Sequence, residues 1–193
     1  MKDNKTQNTV SLLNLHPWLR IIIGRCGSGK STTACAIMDG WRREGGGPIL
    51  AIDPVASDPP TELHIASCAD VYTPDCPDIL PTQSGQLVVV DEADLFVSQA
   101  DAYRRPLPPL HGLIRRRRHA GVSLLLISQR AALISRSAWS LADEIIICST
   151  SDDRDLKQIG KLPGVTAEDV QAVAAAHEPG VVLVWTPREV RRG

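Results

Sequence analysis

The chain has 193 residues, of which 43% are apolar and 22% charged, with a formal net charge of −1 at pH 7. That length supports one domain with a real core and leaves little room for a second. The near-neutral balance excludes a molecule-wide basic footprint, so any nucleic-acid contact must be local. No apolar run approaches the roughly 20 residues needed to cross a bilayer.

The first residues, Met1-Lys2-Asp3-Asn4-Lys5, are polar rather than a hydrophobic signal core, so export is not expected and a cytoplasmic location is. Residues 1–15 read as a polar N-terminal arm, and residues 16–193 as a single domain. Five cysteines, an odd number without a Cys-x-x-Cys pair, argue against a disulfide framework or a zinc site and favour a reducing compartment.

An apolar run, Leu19-Arg20-Ile21-Ile22-Ile23, predicts a first buried strand. Immediately after it, Gly24-Arg25-Cys26-Gly27-Ser28-Gly29-Lys30-Ser31 satisfies the complete phosphate-loop (Walker A) pattern, and Thr32 to Met38 reads as a helix. Strand, glycine loop and helix N-terminus together make an anion site, because backbone N–H groups and the helix dipole both favour negative charge. Gly24, Gly27 and Gly29 let the backbone curl around phosphate without a Cβ in the way. Lys30 supplies a point charge to the β- and γ-phosphates, and the Ser31 hydroxyl is a candidate Mg²⁺ ligand. The candidate nucleotide-binding segment is therefore Gly24, Arg25, Cys26, Gly27, Ser28, Gly29, Lys30, Ser31 and Thr32. Cys26 is a potentially reactive thiol beside the helix N-terminus, or simply a small loop residue.

Gly45-Gly46-Gly47-Pro48 breaks the chain. Ile49 to Asp53 then reads as a buried strand ending in an acid, which is more often a cap than a catalytic group. Pro54–Pro60 and Pro74–Gln86 read as loops, and Ala69 to Tyr72 as a short strand. Gln86-Leu87-Val88-Val89-Val90-Asp91 is a strong buried strand ending in the acid pair Asp91-Glu92 (the Walker B position). In an open α/β sheet the carboxyl ends of the strands are where ligands bind. Asp91 is the candidate for holding Mg²⁺, and Glu92, one residue on, for activating a water in line with the γ-phosphate. Without the phosphate loop the same pair would read as a solvated turn.

After Pro106-Leu107-Pro108-Pro109, a helix is expected from about Leu110 to His119. It carries Arg115-Arg116-Arg117-Arg118, which spread around the helix at about 100° per residue. They read equally as a solvated helix end near the C-terminal dipole, as contacts to nucleic-acid phosphates, or as a source of a trans-acting arginine finger. Ser123 to Ile127 is another buried strand, ending in Ser128-Gln129-Arg130; Gln129 reads as a γ-phosphate sensor or water-orienting group, or as a strand-end cap. Glu144 to Ile147 is a further strand. Helices are expected near Asp152–Ile159, capped by Ser151 or Asp152, and near Ala167–Ala176. Val181 to Trp185 closes the chain as a last strand. Continuous apolar strands alternating with helices predict an α/β fold with a mostly parallel sheet covered on both faces.

Taken together, these residues resemble the FtsK/HerA superfamily of RecA-like motor ATPases. The resemblance spans about Arg20 to Trp185. It is densest in Arg118-His119-Ala120-Gly121-Val122, Leu125-Leu126-Ile127-Ser128-Gln129-Arg130, Ala142-Asp143-Glu144-Ile145 and Asp152-Asp153, and Glu178-Pro179-Gly180 also fits. Ala131 stands where that family often has proline. The resemblance implies a RecA-like P-loop NTPase: a ring, pentameric or hexameric, driven by ATP and Mg²⁺ and moving double-stranded DNA. It implies Lys30 and Ser31 on phosphate and Mg²⁺, Asp91 on Mg²⁺, Glu92 activating water, Gln129 reading the γ-phosphate and Arg118 as the trans finger, with Arg130 and Arg136 in reserve. The size, without inserted or appended domains, looks most like viral genome-packaging ATPases. That would place the chain in host cytoplasm or at a virion vertex, with capsid or portal proteins as partners. A motor for protein or filamentous-phage export is the competing expectation. Arg104 and Arg105, in the loop after the acid pair, are candidate pore residues, or plain surface.

Overall fold

The computed structural model describes residues 16–55, 65–77, 82–104 and 106–193. In chain order the elements are β1 (Leu19–Ile23), α1 (Lys30–Arg43), β2 (Ile49–Ile52), β3 (Val71–Thr73), β4 (Leu87–Val90), α2 (Pro109–Ala120), β5 (Ser123–Ser128), α3 (Arg136–Leu141), β6 (Glu144–Ile147), α4 (Asp153–Ile159), α5 (Ala167–Ala175), β7 (Leu183–Trp185) and β8 (Val190–Arg192). They form one eight-stranded sheet in the order β3-β2-β4-β5-β1-β6-β7-β8. The first six strands run parallel, and β7 and β8 are antiparallel to their neighbours.

The strands expected from continuous apolar runs are buried along their whole length, as parallel strands covered on both faces must be. Side chains alternate between the faces. Leu19, Ile21 and Ile23 enter the core that includes Leu110, Leu113 and Ile114 of α2 and Trp139 of α3. Ile22 enters the opposite core with Ala34, Ile37 and Met38 of α1. The sheet is thus the middle layer between α1 on one side and α2 and α3 on the other. Because β5 lies between β1 and β4, its carboxyl end separates the phosphate loop from the acid pair.

Several features depart from the sequence reading. The chain does not close at Trp185: β8 returns antiparallel, with Trp185 opposite Val190. Its residues, Val-Arg-Arg, carry no apolar signal. Helix α3 was not expected, since six residues are too few to show a helical period. Ser135 caps it, its Oγ accepting from Ala138 N–H at 3.3 Å. Asp152 is the cap of α4, and Thr166 opens α5 with a capping box completed by Asp169.

The expectation against disulfides is overturned. Cys35 of α1 and Cys68 of the short 3-10 turn Ile65–Cys68 form a disulfide, with Cα atoms 5.9 Å apart. Composition and spacing cannot register this pairing, because the two residues are 33 apart and meet only when the turn after β2 packs on α1. Cys26, Cys76 and Cys148 are free thiols. Of the expected loops, Pro54–Pro60 and Pro74–Gln86 are only partly within the described residues. Arg105 and the 1–15 arm lie outside them.

Candidate functional site

The phosphate loop is held from three sides by backbone hydrogen bonds. Gly24 N–H donates to Ser128 C=O of β5 at 3.3 Å, Arg25 N–H to Ser149 C=O after β6 at 2.8 Å, and Gly180 N–H to Ser28 C=O at 3.0 Å. Arg25 Nε also donates to Ser149 Oγ at 3.2 Å. Two glycines show why the pattern needs them. A Cβ on Gly24 would lie 2.7 Å from the Cβ of Cys148, the residue after β6, so there is no room for a side chain. Gly29 has φ +90°, a left-handed conformation that L side chains rarely adopt. Lys30, the first residue of α1, is buried, and its Nζ donates to Arg25 C=O at 2.9 Å across the loop. Ser31 and Thr32 follow in the first turn of α1, and Cys26 is exposed.

The acid pair lies two strands away, on the same edge. Asp91 is nearly buried, and its carboxyl is pushed up to about 6, by burial above all and further by the charges of Asp53 and Glu92; the Glu92 N–H and Lys30 pull the other way. Lys30 therefore acts electrostatically on Asp91, so loop and acids share one field. Asp53, at the end of β2, is fully buried beside them. A proton-hungry carboxyl among other carboxylates is an environment that a divalent cation would neutralise. Among the described residues no three acidic, His or Cys side chains form a cage, and Mg²⁺ needs none: it binds through one or two protein groups, water and substrate phosphate. Ser31 and Asp91 fit that role.

Glu92 has the one positive φ among the described non-glycine residues, at φ 45° and ψ 45°. Such a conformation costs on the order of 1 kcal/mol and persists where surrounding structure imposes it, typically at functional sites. Here the twist follows a hydrogen bond from Glu92 N–H to Asp91 Oδ1 at 2.9 Å. It turns the carboxylate toward β5, where Glu92 Oε1 accepts a short hydrogen bond from Gln129 Nε2. The arrangement joins the strand-end glutamine to the second acid, although they are 37 residues apart.

The remaining candidates fall elsewhere. Arg118 lies at the opposite edge of the sheet, where its Nη2 pairs with Asp143 Oδ1 at 3.1 Å with a side chain 69% exposed. Its neighbour Arg117 is the buried member of the run, bonded to Ile114 C=O, Leu141 C=O and Asp143. Arg130 is half-exposed but held in ion pairs of its own subunit. It pairs with Asp152 and with the fully buried Asp155, both at 3.1 Å. Arg104 pairs with Asp101.

Four contributors had no site role in the sequence reading. Asp94 accepts from the Ser128 hydroxyl behind the acid pair. Asp155 takes both Arg130 Nε and, at 2.8 Å, Ala132 N–H, so α4 fixes the turn that follows Gln129. Pro179 and Gly180 lie against Gly29. Only the acid after a strand end is a recognisable signal. The others depend on tertiary neighbours.

No protein-family model and no curated protein matches this sequence. Solved structures do match its fold. The genome packaging NTPase B204 from Sulfolobus turreted icosahedral virus 2, in complex with AMP, superposes with a TM-score of 0.70 at 18% identity, over 93% of this chain and 98% of that one. Its complex with ATP-gammaS gives 0.69 at 17% identity, over 90% and 95%. The cytoplasmic domain of the Thermomonospora curvata Type VII secretion ATPase EccC gives 0.53 at 16% identity, over 91% of this chain but 23% of that one. The phosphate loop, the mostly parallel sheet with β5 inserted between loop strand and acid strand, and the near-complete mutual coverage with B204 agree: this chain has the P-loop NTPase fold seen in a viral genome-packaging NTPase.

Proposed function

We propose that the chain is an ATPase that drives double-stranded DNA through an oligomeric ring, in viral genome packaging. The observation that carries this reading is the convergence of the phosphate loop, Asp91, Glu92 and Gln129 at one edge of a fold shared with a genome-packaging NTPase over nearly its whole length.

In this reading Gly24–Thr32 encloses the phosphates, and Lys30 exchanges its contact with Arg25 C=O for the β- and γ-phosphate oxygens. Ser31 and Asp91 hold Mg²⁺, which when bound neutralises charge on the phosphates. Glu92 accepts a proton from the attacking water, and its left-handed backbone brings the carboxylate to Gln129. Gln129 holds Glu92 before nucleotide arrives and turns to the γ-phosphate when it does. Arg118, at the far edge of its own sheet, serves the nucleotide of an adjacent subunit, so hydrolysis occurs at subunit interfaces. Arg117 cannot fill that role, since it is buried in the hydrogen bonds that hold Asp143.

The test is steady-state ATP hydrolysis with and without duplex DNA. Strong stimulation by duplex is expected, together with a rate per subunit that rises with protein concentration as rings assemble. Magnesium-dependent hydrolysis indifferent to DNA would overturn the DNA part. The likeness to the secretion ATPase EccC supports a second reading, a motor for protein or filament export, and hydrolysis indifferent to DNA would favour it.

A further inference from the structure

Between the segment after β5 and helix α4 lies a concavity of about 360 Å³ whose polar lining is Gln99, Arg136, Arg154, Lys157, Gln158 and Lys161. Its apolar lining is Ala132 and Ile134, and no acid or aromatic among the described residues faces it. We propose that this groove binds the phosphate backbone of duplex DNA, and that α4 transmits occupancy of the groove to Gln129. The inference deepens the proposed DNA-driven activity and rests on it.

Four cations share one concavity on a chain whose net charge is −1. Among the described residues most arginines elsewhere are in ion pairs, while Arg25, Arg43, Arg115, Arg116 and Arg188 are not. Among the described residues, none of the four groove cations is in an ion pair. Arg154 lies in the field of the neighbouring Asp152, but no direct ion pair neutralises the row, and an anionic ligand is a partner that would do so. Arg154, Lys157 and Lys161 follow one another at intervals of three and four, on one face of α4 and its C-terminal exit. That row extends on the order of 10 Å at 1.5 Å per residue, a length suited to a run of phosphates rather than to a single anion.

The lining also separates duplex from single strand. Single-strand sites stack bases on aromatic side chains, and this groove has none. A duplex keeps its bases stacked inside and offers only phosphate and sugar, which amide and cationic side chains contact without reading sequence.

The route to the active site is short. Arg154 and Lys157 flank Asp155, and Asp155 binds Arg130 and Ala132 N–H on the strand end that carries Gln129. A ligand that draws α4 toward itself shifts that anchor, and with it the hydrogen bond between Gln129 and Glu92.

The experiment compares the full chain with its triple variant Arg154→Gln/Lys157→Gln/Lys161→Gln, by anisotropy of a labelled duplex across a salt series and by ATP hydrolysis with and without duplex. All three side chains are exposed, so folding is retained and is checked by melting. If the triple variant fails to fold, Lys157→Glu alone carries the same comparison. The expected result is duplex affinity at least about tenfold weaker, a salt slope shallower by about two to three, and DNA stimulation lost while hydrolysis without DNA is unchanged. Duplex binding that survives the substitutions unchanged overturns the groove while leaving the DNA reading standing. No duplex binding by the unaltered chain overturns both. Displacement of duplex by polyglutamate at equal charge overturns the groove as a nucleic-acid site and marks it as a surface for acidic protein. Loss of hydrolysis without DNA overturns it as well, and assigns these cations to a nucleotide.

Discussion

The two edges of the sheet handle charge in opposite ways. At the amino edge of the parallel strands, charges are matched with one another. Arg20, buried in the middle of an apolar strand, faces Glu144 at 2.8 Å on the adjacent β6 and stacks over Trp18; Arg191 adds a second ion pair to Glu144. Asp143 binds Arg117, Arg118 and the Leu19 N–H together. At the carboxyl edge Arg130 is likewise paired, with Asp152 and Asp155, but around the phosphate loop acids crowd together instead. Asp53, Asp91 and Glu92 gather, one backbone is twisted into a left-handed conformation, and the nearby lysine rests on a main-chain carbonyl. The first edge is assembled for stability. On the proposed function, the second stays under constraint until something cationic and phosphorylated arrives, and it is the edge where chemistry takes place.

The sharpest way to break this contrast is at Glu92. On the proposed function, Glu92→Gln lowers the hydrolysis rate by roughly 100- to 10,000-fold and leaves nucleotide affinity nearly unchanged. Steady-state kinetics beside equilibrium binding of a fluorescent nucleotide reads both, and an unaltered rate would remove Glu92 as the base.

Glu144→Ala probes the other edge. It strands the buried Arg20, whose guanidinium burial already pulls below its ordinary range, and should cost about 3–5 kcal/mol in denaturant unfolding with no specific effect on nucleotide affinity. A loss under ~1 kcal/mol would show that this edge is not built on its ion pairs.

Asp91 gives a pH signature. Its carboxyl stands at about 6 in the fold against an ordinary 3.8, so the folded state binds more protons than the unfolded one in that interval. Stability without nucleotide then falls as pH rises from ~4 to ~6, by roughly 3 kcal/mol at 1.4 kcal/mol per unit. Asp91→Asn removes this slope and stabilises the protein at pH 7 to 8, relative to the unaltered chain, while the two converge below pH 4. Parallel stability curves across that range would contradict the burial argument.

The Cys35–Cys68 link closes a loop of about 33 residues between α1 and the turn after β2. Reduction, or Cys35→Ser/Cys68→Ser, should lower stability by ~2–4 kcal/mol, read as a drop in melting temperature that reductant no longer changes in the double variant. Smallest of all, Glu92→Gly relieves the left-handed strain and should raise stability by about 1 kcal/mol while hydrolysis is lost. Opposite signs for stability and activity at one residue would show directly that the carboxyl edge carries strain for function.

Much of this was legible in the chain itself. The runs Leu19–Ile23, Leu87–Val90, Ser123–Ile127 and Glu144–Ile147 announce buried parallel strands because both faces of such a sheet are covered and no alternation survives. What escaped are elements whose signal is not local. Helix α3 is too short to show a period, β8 is charged, and the disulfide joins residues that neither spacing nor composition connects. Around the site, the loop and the acids stand out because glycine and carboxylate at strand ends are rare and chemically costly. Asp155 and Gly180 do not, since each looks like an ordinary surface residue until the sheet brings it against Arg130 or Ser28.

By itself, then, the sequence determined the α/β class, the phosphate loop and the strand that ends in two acids, because backbone curvature, burial and anion binding each demand particular residue types at fixed local spacing. The tertiary structure alone decided the strand order that inserts β5 between them, the contact of Gln129 with Glu92, the removal of Arg118 to the far edge and the gathering of four cations beside α4. Those follow from which strands pair and which helix faces meet, and such long-range choices are made by the packing of the whole core rather than by any one segment.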